Sequence, residues 1–395
     1  MPILCIGLRV AASSNMGRHK TKGTSHRVGL SIGSHSVTAV EVVERGSETV
    51  IRSAGSVPIG GVRERKTSAD TAAVVHAVKS LWSSAAFGTK NVVAALPPSS
   101  VYLKWLHLEA PDEEELANTA RNAAVRGAPF PASDAVVDYR VLSARGVGSR
   151  NVHFVMLVAA SAAAVDELLD IVDSAGLEPL GVDVEAVAVV RSFELQKRTA
   201  SPLWSGQPQA HCRIGASSSL ITVMRGGELE FARTVPVGGN DFTQCIVDAT
   251  GLTWEEAERL KLTPGVRLTT EGVLVGSREG EQLRVSCESA VGRLAREMHR
   301  SLKFFRSQFA EGSYLGMTGV ATLSGGGALL RGIDACLESQ GIEVAGIINP
   351  FAGFSVASEG KGISHVVDSA AQYTTALGLA LADYTSDVGE QRLAA

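Results

Sequence analysis

An apolar strand, a turn of glycine and hydroxyls, and a β-rich return occur twice in this chain. Val28-Gly29-Leu30-Ser31-Ile32-Gly33-Ser34-His35-Ser36 opens a stretch that closes on Val57-Pro58-Ile59-Gly60-Gly61. About 180 residues later, His211-Cys212-Arg213-Ile214-Gly215-Ala216-Ser217-Ser218-Ser219 opens one that closes on Val235-Pro236-Val237-Gly238-Gly239. An echo at this spacing predicts two related α/β lobes, each offering a backbone-rich turn to the cleft between them. Such a cleft suits a phosphate chain.

The length of 395 residues accommodates two lobes with separate cores. A net charge of −4 leaves no footprint for a nucleic acid, and none is expected as a partner. Cys5, Cys212, Cys245, Cys287 and Cys336 are scattered without a C-x-x-C pair. That distribution argues for a reducing compartment and against a disulfide framework or zinc site. No apolar run approaches the roughly 20 residues of a membrane span. The first residues are apolar, but Arg18, Lys20, Lys22 and Arg27 follow them, the reverse of a secretory signal. Residues 1–26 read as a disordered extension, with Met16 as an alternative start.

Periodicity and punctuation order the rest. Residues 28–59 read as three strands, 69–87 as an amphipathic helix, and Asn91–Leu96 and Val101–Leu108 as strands. Pro111-Asp112-Glu113-Glu114-Glu115 puts acids at the positive end of a helix that Pro129-Phe130-Pro131 stops. Strands at 135–143 and 152–160 follow, then a helix capped by Ser161 and ended by Gly176, and a helix over 183–198. Ser201–Ala210 is the linker candidate, so the first lobe spans 27–205 with an inserted block at about 97–180. The second lobe spans 206–382, its last helix (about 367–382) packing back on the first, and 383–395 is a disordered tail. Asn240–Thr250 and Thr253–Leu262 are helices, the second with a Thr253–Glu256 capping box and a Pro264-Gly265 stop. Residues 286–310 form the longest helix, with Val291, Leu294, Met298, Leu302, Phe305 and Phe309 on one stripe. A strand at Ala321–Leu323 enters Ser324-Gly325-Gly326-Gly327, and the next helix runs to about Gln340.

Three glycine turns thus follow apolar strands: Gly33-Ser34, Gly215-Ala216-Ser217 and Gly325-Gly326-Gly327. Glycine removes the Cβ that keeps a ligand from consecutive backbone N–H groups, and hydroxyls at Ser34, Ser36, Ser217 and Ser218 add donors. One such turn is commonly a plain hairpin; three, two of them duplicated, point to nucleotide binding. Neither a P-loop nor a dinucleotide fingerprint is present. Glu258 and Lys261 share a helix face, as a surface ion pair or as contacts to a nucleotide's sugar and base. Asp183 and Glu185 either line the cleft or cap their helix. No histidine stands as a convincing base, and Phe304, Phe305 and Phe309 read as core.

These residues resemble the actin-like PilM family. The resemblance rests on the two glycine turns, Phe231-Ala232-Arg233-Thr234-Val235-Pro236-Val237-Gly238-Gly239, Ala257-Glu258-Arg259-Leu260-Lys261, Leu323-Ser324-Gly325-Gly326-Gly327-Ala328-Leu329-Leu330 and Leu377-Gly378-Leu379-Ala380-Leu381. Val93-Ala94-Ala95-Leu96-Pro97 through Lys104, then Pro129-Phe130-Pro131 and Asp138-Tyr139-Arg140-Val141-Leu142, resemble the family's inserted subdomain. The resemblance covers about 27–382. It implies the duplicated actin (ribonuclease H-like) α/β fold with a subdomain relocated as in FtsA. It further implies a cytoplasmic scaffold on the inner face of the membrane in the type IV pilus assembly platform. That scaffold would bind ATP between its lobes and the cytoplasmic N-terminal tail of PilN. Other platform proteins, assembly ATPases and a second copy are further expected partners, with the membrane reached only through them. Carried over, Gly33, Ser34 and Ser36 form the first phosphate loop and Gly215, Ser217 and Ser218 the second. Gly325, Gly326 and Gly327 sit at the adenosine, and Glu258 and Lys261 at its ribose and base.

Two positions depart from the actin-like pattern, which places an acid two residues before each phosphate-loop glycine to organise Mg²⁺ and the attacking water. This chain has Ser31 and Arg213 there. Loss of both carboxylates predicts weak or absent hydrolysis and puts Mg²⁺ in question. Arg213 either neutralises a phosphate or fills the site. A small-molecule kinase of the same superfold and an FtsA-like tethered filament are the rival readings. The first lacks an acid placed as substrate base; the second lacks a basic amphipathic end, since Asp383–Ala395 carries three acids and one arginine.

Overall fold

The computed structural model describes residues 7–8, 26–46, 48–60, 68–147, 150–193, 208–278, 280–308, 320–357 and 366–382. Almost all of the 1–26 extension, most of the 201–210 linker, Phe309 and the 383–395 tail lie outside the described residues.

The first phrase folds as a meander of β2 (His26–Ile32), β3 (Ser36–Arg45) and β4 (Glu48–Pro58). Register pairs Leu30 with Ala39 and Ala39 with Gly55. β5 (Asn91–Leu96) joins β2 in parallel, and β9 (Glu178–Val184) joins β5. With β1 (Gly7–Leu8) on β9 and β18 (Ser355–Val356) on β4, the sheet has seven strands in the order β1-β9-β5-β2-β3-β4-β18. The second phrase repeats the plan. β10 (Gln209–Ile214), β11 (Ser219–Arg225) and β12 (Glu228–Val235) form the meander, and β16 (Val320–Ser324) runs parallel to β10. β17 (Glu343–Ile347) completes the order β12-β11-β10-β16-β17. Stripped of additions, β4-β3-β2-β5 and β12-β11-β10-β16 are the same motif.

Helices cover both sheets because their apolar spacing matches the helical turn. α1 (Ser68–Ala85) buries Val74, Val78 and Leu81 on the first sheet, beside α3 (Ala162–Ser174). α7 (Glu288–Ser307) buries Val291, Leu294, Met298, Leu302 and Phe305 against the second. Phe304, expected in that core, is 52% exposed and meets Phe231 only at a 6.0 Å ring distance. The chain between β5 and β9 builds a separate sheet of β6 (Val101–Glu109), β8 (Arg150–Ser161) and β7 (Ala135–Val147), with α2 (Glu113–Gly127) packed on it. Asp112 caps α2 by accepting from the Glu115 N–H at 2.9 Å. Ser161 caps nothing. Its hydroxyl donates to Asp134, and Asp134 accepts the Ala163 N–H at the start of α3.

The helix expected over 183–198 begins later: Asp183 and Val184 finish β9, and α4 covers Glu185–Ser192. The predicted helix after Gly327 is a 3-10 turn over Gly326–Leu329 followed by α8 (Ile333–Ser339). The last helix is a 3-10 segment, Val367–Tyr373, continuing as α9 (Thr374–Ala380). α9 lies over β2 and α4, so close that a Cβ on Gly29 would enter the Ala376 carbonyl. Arg191 on α4 ties this layer together, donating to Asp183 at 2.8 Å and to the Gly378 carbonyl at 2.7 Å. Both members of that ion pair are fully buried. A third small sheet, β13 (Arg267–Leu268), β14 (Val273–Arg278) and β15 (Glu281–Ser286), sits on α5 (Gly239–Thr250) and α6 (Trp254–Lys261) of the second half.

Candidate functional site

The two glycine turns close in the same way. Gly33 N–H donates to the Ser36 carbonyl at 3.0 Å, and Gly215 N–H to the Ser218 carbonyl at 2.9 Å. The end of each phrase folds back onto its turn. Ile59 N–H reaches the His35 carbonyl at 2.7 Å, while Gly239 and Asn240 N–H groups reach the Gly215 and Ala216 carbonyls at 2.9 and 2.8 Å. A Cβ on Gly238 would stand 2.5 Å from the Ala216 carbonyl, so glycine at that position lets the second turn seat against α5.

Between the turns lies a cleft of about 390 Å³, within the ordinary range of small-molecule sites. Of the residues singled out in the sequence, Gly33, Ser34, Ser36, Gly215, Glu258, Lys261, Gly326 and Gly327 line it. Ser217, Ser218 and Gly325 do not. Ser218 supplies its carbonyl to close the turn, and Gly325 has φ +87° and donates its N–H to the Ala371 carbonyl at 2.8 Å. Gly326 differs from its neighbours. Its φ is not positive and nothing lies within 4 Å of where its Cβ would stand. Neither strain nor packing requires glycine there; a Cβ would simply project into the cleft. Arg331, Asp368 and Gln372 also line it, from segments whose sequence gives no sign of a site.

Glu258 and Lys261 form a nearly buried pair at 2.7 Å, with side chains 15% and 9% exposed. Lys261 also donates to the Thr243 hydroxyl at 2.8 Å and to the Gly239 carbonyl at 3.1 Å, and Thr243 donates to Glu258. Burial pushes the Glu258 carboxyl up, but the Lys261 ammonium and these hydrogen bonds outweigh it and hold the group below its ordinary range. Burial likewise lowers Lys261, against the opposing pull of Glu258. The pair is therefore an anchored, charged wall of the cleft rather than a solvated helix face.

Arg213 lines the cleft at the start of the second turn, and its Nη1 stands 2.5 Å from Glu185 of α4. Its Nε is buried and has no partner. Glu185 also accepts from Thr375 at 3.5 Å, so it faces inward rather than capping α4, while Asp183 serves the Arg191 pair. Behind Arg213, His211 is fully buried between Thr322 (2.9 Å) and Ser324 (2.8 Å). Burial, with Arg213 beside it, pushes that imidazole down to about 3, so it is neutral and fixes β10 to β16 just before Gly325.

The donor set fits Mg²⁺ poorly, since that ion takes oxygen ligands in near-octahedral array, usually with one or two clustered carboxylates. Among the described residues no group of three or more His, Cys, Asp or Glu side chains is placed to hold a metal ion. Glu258 is committed to Lys261 and Glu185 to Arg213, and Asp368 lies exposed on the Val367–Tyr373 segment.

Two equivalent meanders, each joined by a parallel strand and each presenting a glycine turn to a shared cleft, define an actin-like protein. The pattern of the family described as type IV pilus assembly protein PilM matches residues 29–384, and the chain belongs to that family. The solved PilM–PilN type IV pilus biogenesis complex is similar at 27% identity and a TM-score of 0.72, over 90% of this chain and 97% of that one. More distant structures include the ethanolamine utilization protein EutJ of Carboxydothermus hydrogenoformans (15% identity, TM-score 0.47, 91% and 90% covered). MreB5 of Spiroplasma citri, solved with ADP, is at 14% identity and TM-score 0.45, with 89% and 94% covered. Among the described residues no helix is long and apolar enough to cross a membrane.

Proposed function

We propose that this type IV pilus assembly protein is a peripheral scaffold on the inner face of the membrane. It holds the N-terminal tail of a PilN-type partner and takes ATP into its cleft with weak or no hydrolysis. Gly326 carries the nucleotide part: a bare backbone facing open cleft, beside the Ser34 and Ser36 turn, the Gly215–Ala216 backbone and the anchored Glu258–Lys261 pair, is what close approach of a phosphorylated ligand requires. In this reading the two turns hold phosphates, and Glu258 and Lys261 approach the ribose. Weak hydrolysis follows from Ser31 and Arg213 at the two acid positions and from the commitment of Glu258 and Glu185 to ion pairs.

The partner assignment rests on membership of the family and on the likeness to the PilM–PilN complex. The β6-β8-β7 sheet suits it, because a sheet with open edge strands accepts an extended peptide through main-chain hydrogen bonds. A pull-down with the N-terminal tail of a PilN-type protein tests the partner. Calorimetric titration with ATP and a phosphate-release assay test the cleft. Retained tail, measurable ATP affinity and negligible release are expected. Turnover at the roughly 1–100 per second of kinases would overturn the scaffold reading.

A further inference from the structure

The cleft has cations where its fold would lead one to look for a metal. Among the residues lining it, Arg213, Lys261 and Arg331 are positive, against Glu258 and Asp368. Of these, Arg213 lies closest to a glycine turn: a Cβ built on Gly215 would stand 3.3 Å from its Nη1. Glu185 at the start of α4, which itself accepts from Thr375 at the start of α9, holds that guanidinium. The side chain is only 16% exposed, so it is pinned rather than waving in solvent. Its remaining donors include a buried Nε without a partner. An arginine fixed in this way can supply forked hydrogen bonds and charge to a phosphate, the two services a divalent ion otherwise provides. Of the carboxylates beside it, Glu258 and Glu185 are tied up in ion pairs, which leaves Asp368 as the one unpaired acid among the described lining residues.

We propose that this cleft binds a nucleoside polyphosphate without a divalent cation, with Arg213 as the phosphate-binding group in the metal's place. The inference rests on the nucleotide reading given above and is separable from it. Glu185 acts here as a positioning residue, setting the guanidinium through the bond at 2.5 Å. Release of that bond on ligand entry is not required, since the pairing with Glu185 takes Nη1 and leaves Nη2 for the ligand.

The test is calorimetric titration of the full chain with ATP, once in EDTA and once in excess Mg²⁺. The two dissociation constants are expected to agree within about threefold. Arg213→Gln should weaken binding about tenfold or more in both buffers, the cost of losing a charge-assisted hydrogen bond. Arg213→Asp should lose affinity in EDTA and recover it in Mg²⁺, because it releases Glu185 and adds a second carboxylate at the turn. A thermal melt of each variant establishes that it is folded. Binding by the unaltered chain only in Mg²⁺ overturns this proposal and leaves the nucleotide reading standing. So does equal affinity of the chain and Arg213→Gln in EDTA. Absence of binding in both buffers, with recovery in Arg213→Asp plus Mg²⁺, shows that Arg213 blocks the cleft and overturns the proposal in the opposite sense. Absence of binding throughout removes the nucleotide reading itself.

Discussion

Two glycines that look alike in the sequence should respond oppositely to the same substitution. An ideal Cβ on Gly378 would stand 1.7 Å from the Ala188 carbonyl oxygen, backbone against backbone between α9 and α4. Opening 1.7 Å to the 3.0 Å below which real Cβ contacts are essentially never found drives the two helices about 1.3 Å apart. Overpacking of this kind costs about 1–3 kcal/mol. The same movement stretches the 2.7 Å bond from Arg191 to the Gly378 carbonyl. An unsatisfied donor on that buried guanidinium adds about 1–3 kcal/mol. Gly378→Ala should therefore lose on the order of 2–6 kcal/mol, or about 4–24 °C in melting temperature at the 2–4 °C per kcal/mol of a large domain. Gly326→Ala meets nothing within 4 Å and starts a 3-10 turn. Its melting temperature should hold or rise slightly, by the up to about 1 kcal/mol gained when glycine's unfolded freedom is curtailed. Its ATP affinity should fall. Differential scanning fluorimetry with calorimetric titration reads both. A Gly378→Ala protein melting with the parent, or a Gly326→Ala protein that is clearly destabilised, would refute the reasoning.

Two further outcomes follow from the buried charges. Lys261→Met strands Glu258 and Thr243 and should cost about 2–4 kcal/mol in chemical denaturation, whereas Lys261→Met with Glu258→Leu should recover most of it. Asp138 is raised from 3.8 to about 6, chiefly by burial and also by the charge of Asp183, against a hydrogen bond from the Tyr139 N–H. A raised carboxyl contributes its relative stability below the unfolded value and loses it as pH climbs through 6, where the native state must carry a buried anion. Asp138→Asn should thus exceed the parent by about 1–2 kcal/mol above pH 6 and match it below pH 4, by urea denaturation across that range.

The duplicated meander was legible because strand, turn and return are each local. The three strands read over 28–59 are β2, β3 and β4, and Asn91–Leu96 is β5 to the residue. α6 was equally plain, since Thr253 and Glu256 form both arms of their capping box at 3.3 and 3.0 Å. β9 is hidden because Pro179 and Gly181 disguise a strand whose partners, β5 and β1, are distant in sequence, with a register shift just there. β13, β14 and β15 are hidden for a related reason: they are short, and the β14–β15 hairpin is half-exposed and interrupted by polar residues. In the site, glycine was over-read. Gly325 and Gly326 look equivalent in a run of three, yet the first serves the φ of +87° and the second faces the cleft. The pairing of Arg213 with Glu185 spans 28 positions and joins β10 to α4, and no local pattern announces it.

α9 has a consequence for how this protein is made. Its residues Ala376, Leu377 and Ala380 complete a core whose other members, Val40, Val42, Ile51 and Ala54, are among the first to leave the ribosome. The seven-stranded sheet also waits for β18 to dress the edge of β4. Until more than 300 further residues have been added, that sheet has an apolar face with nothing to cover it. Each half has its own meander, but the first cannot finish before the second has been synthesised. The two-fold plan therefore does not make two independent folding units, and the earliest sheet is the one that waits longest with an apolar face uncovered.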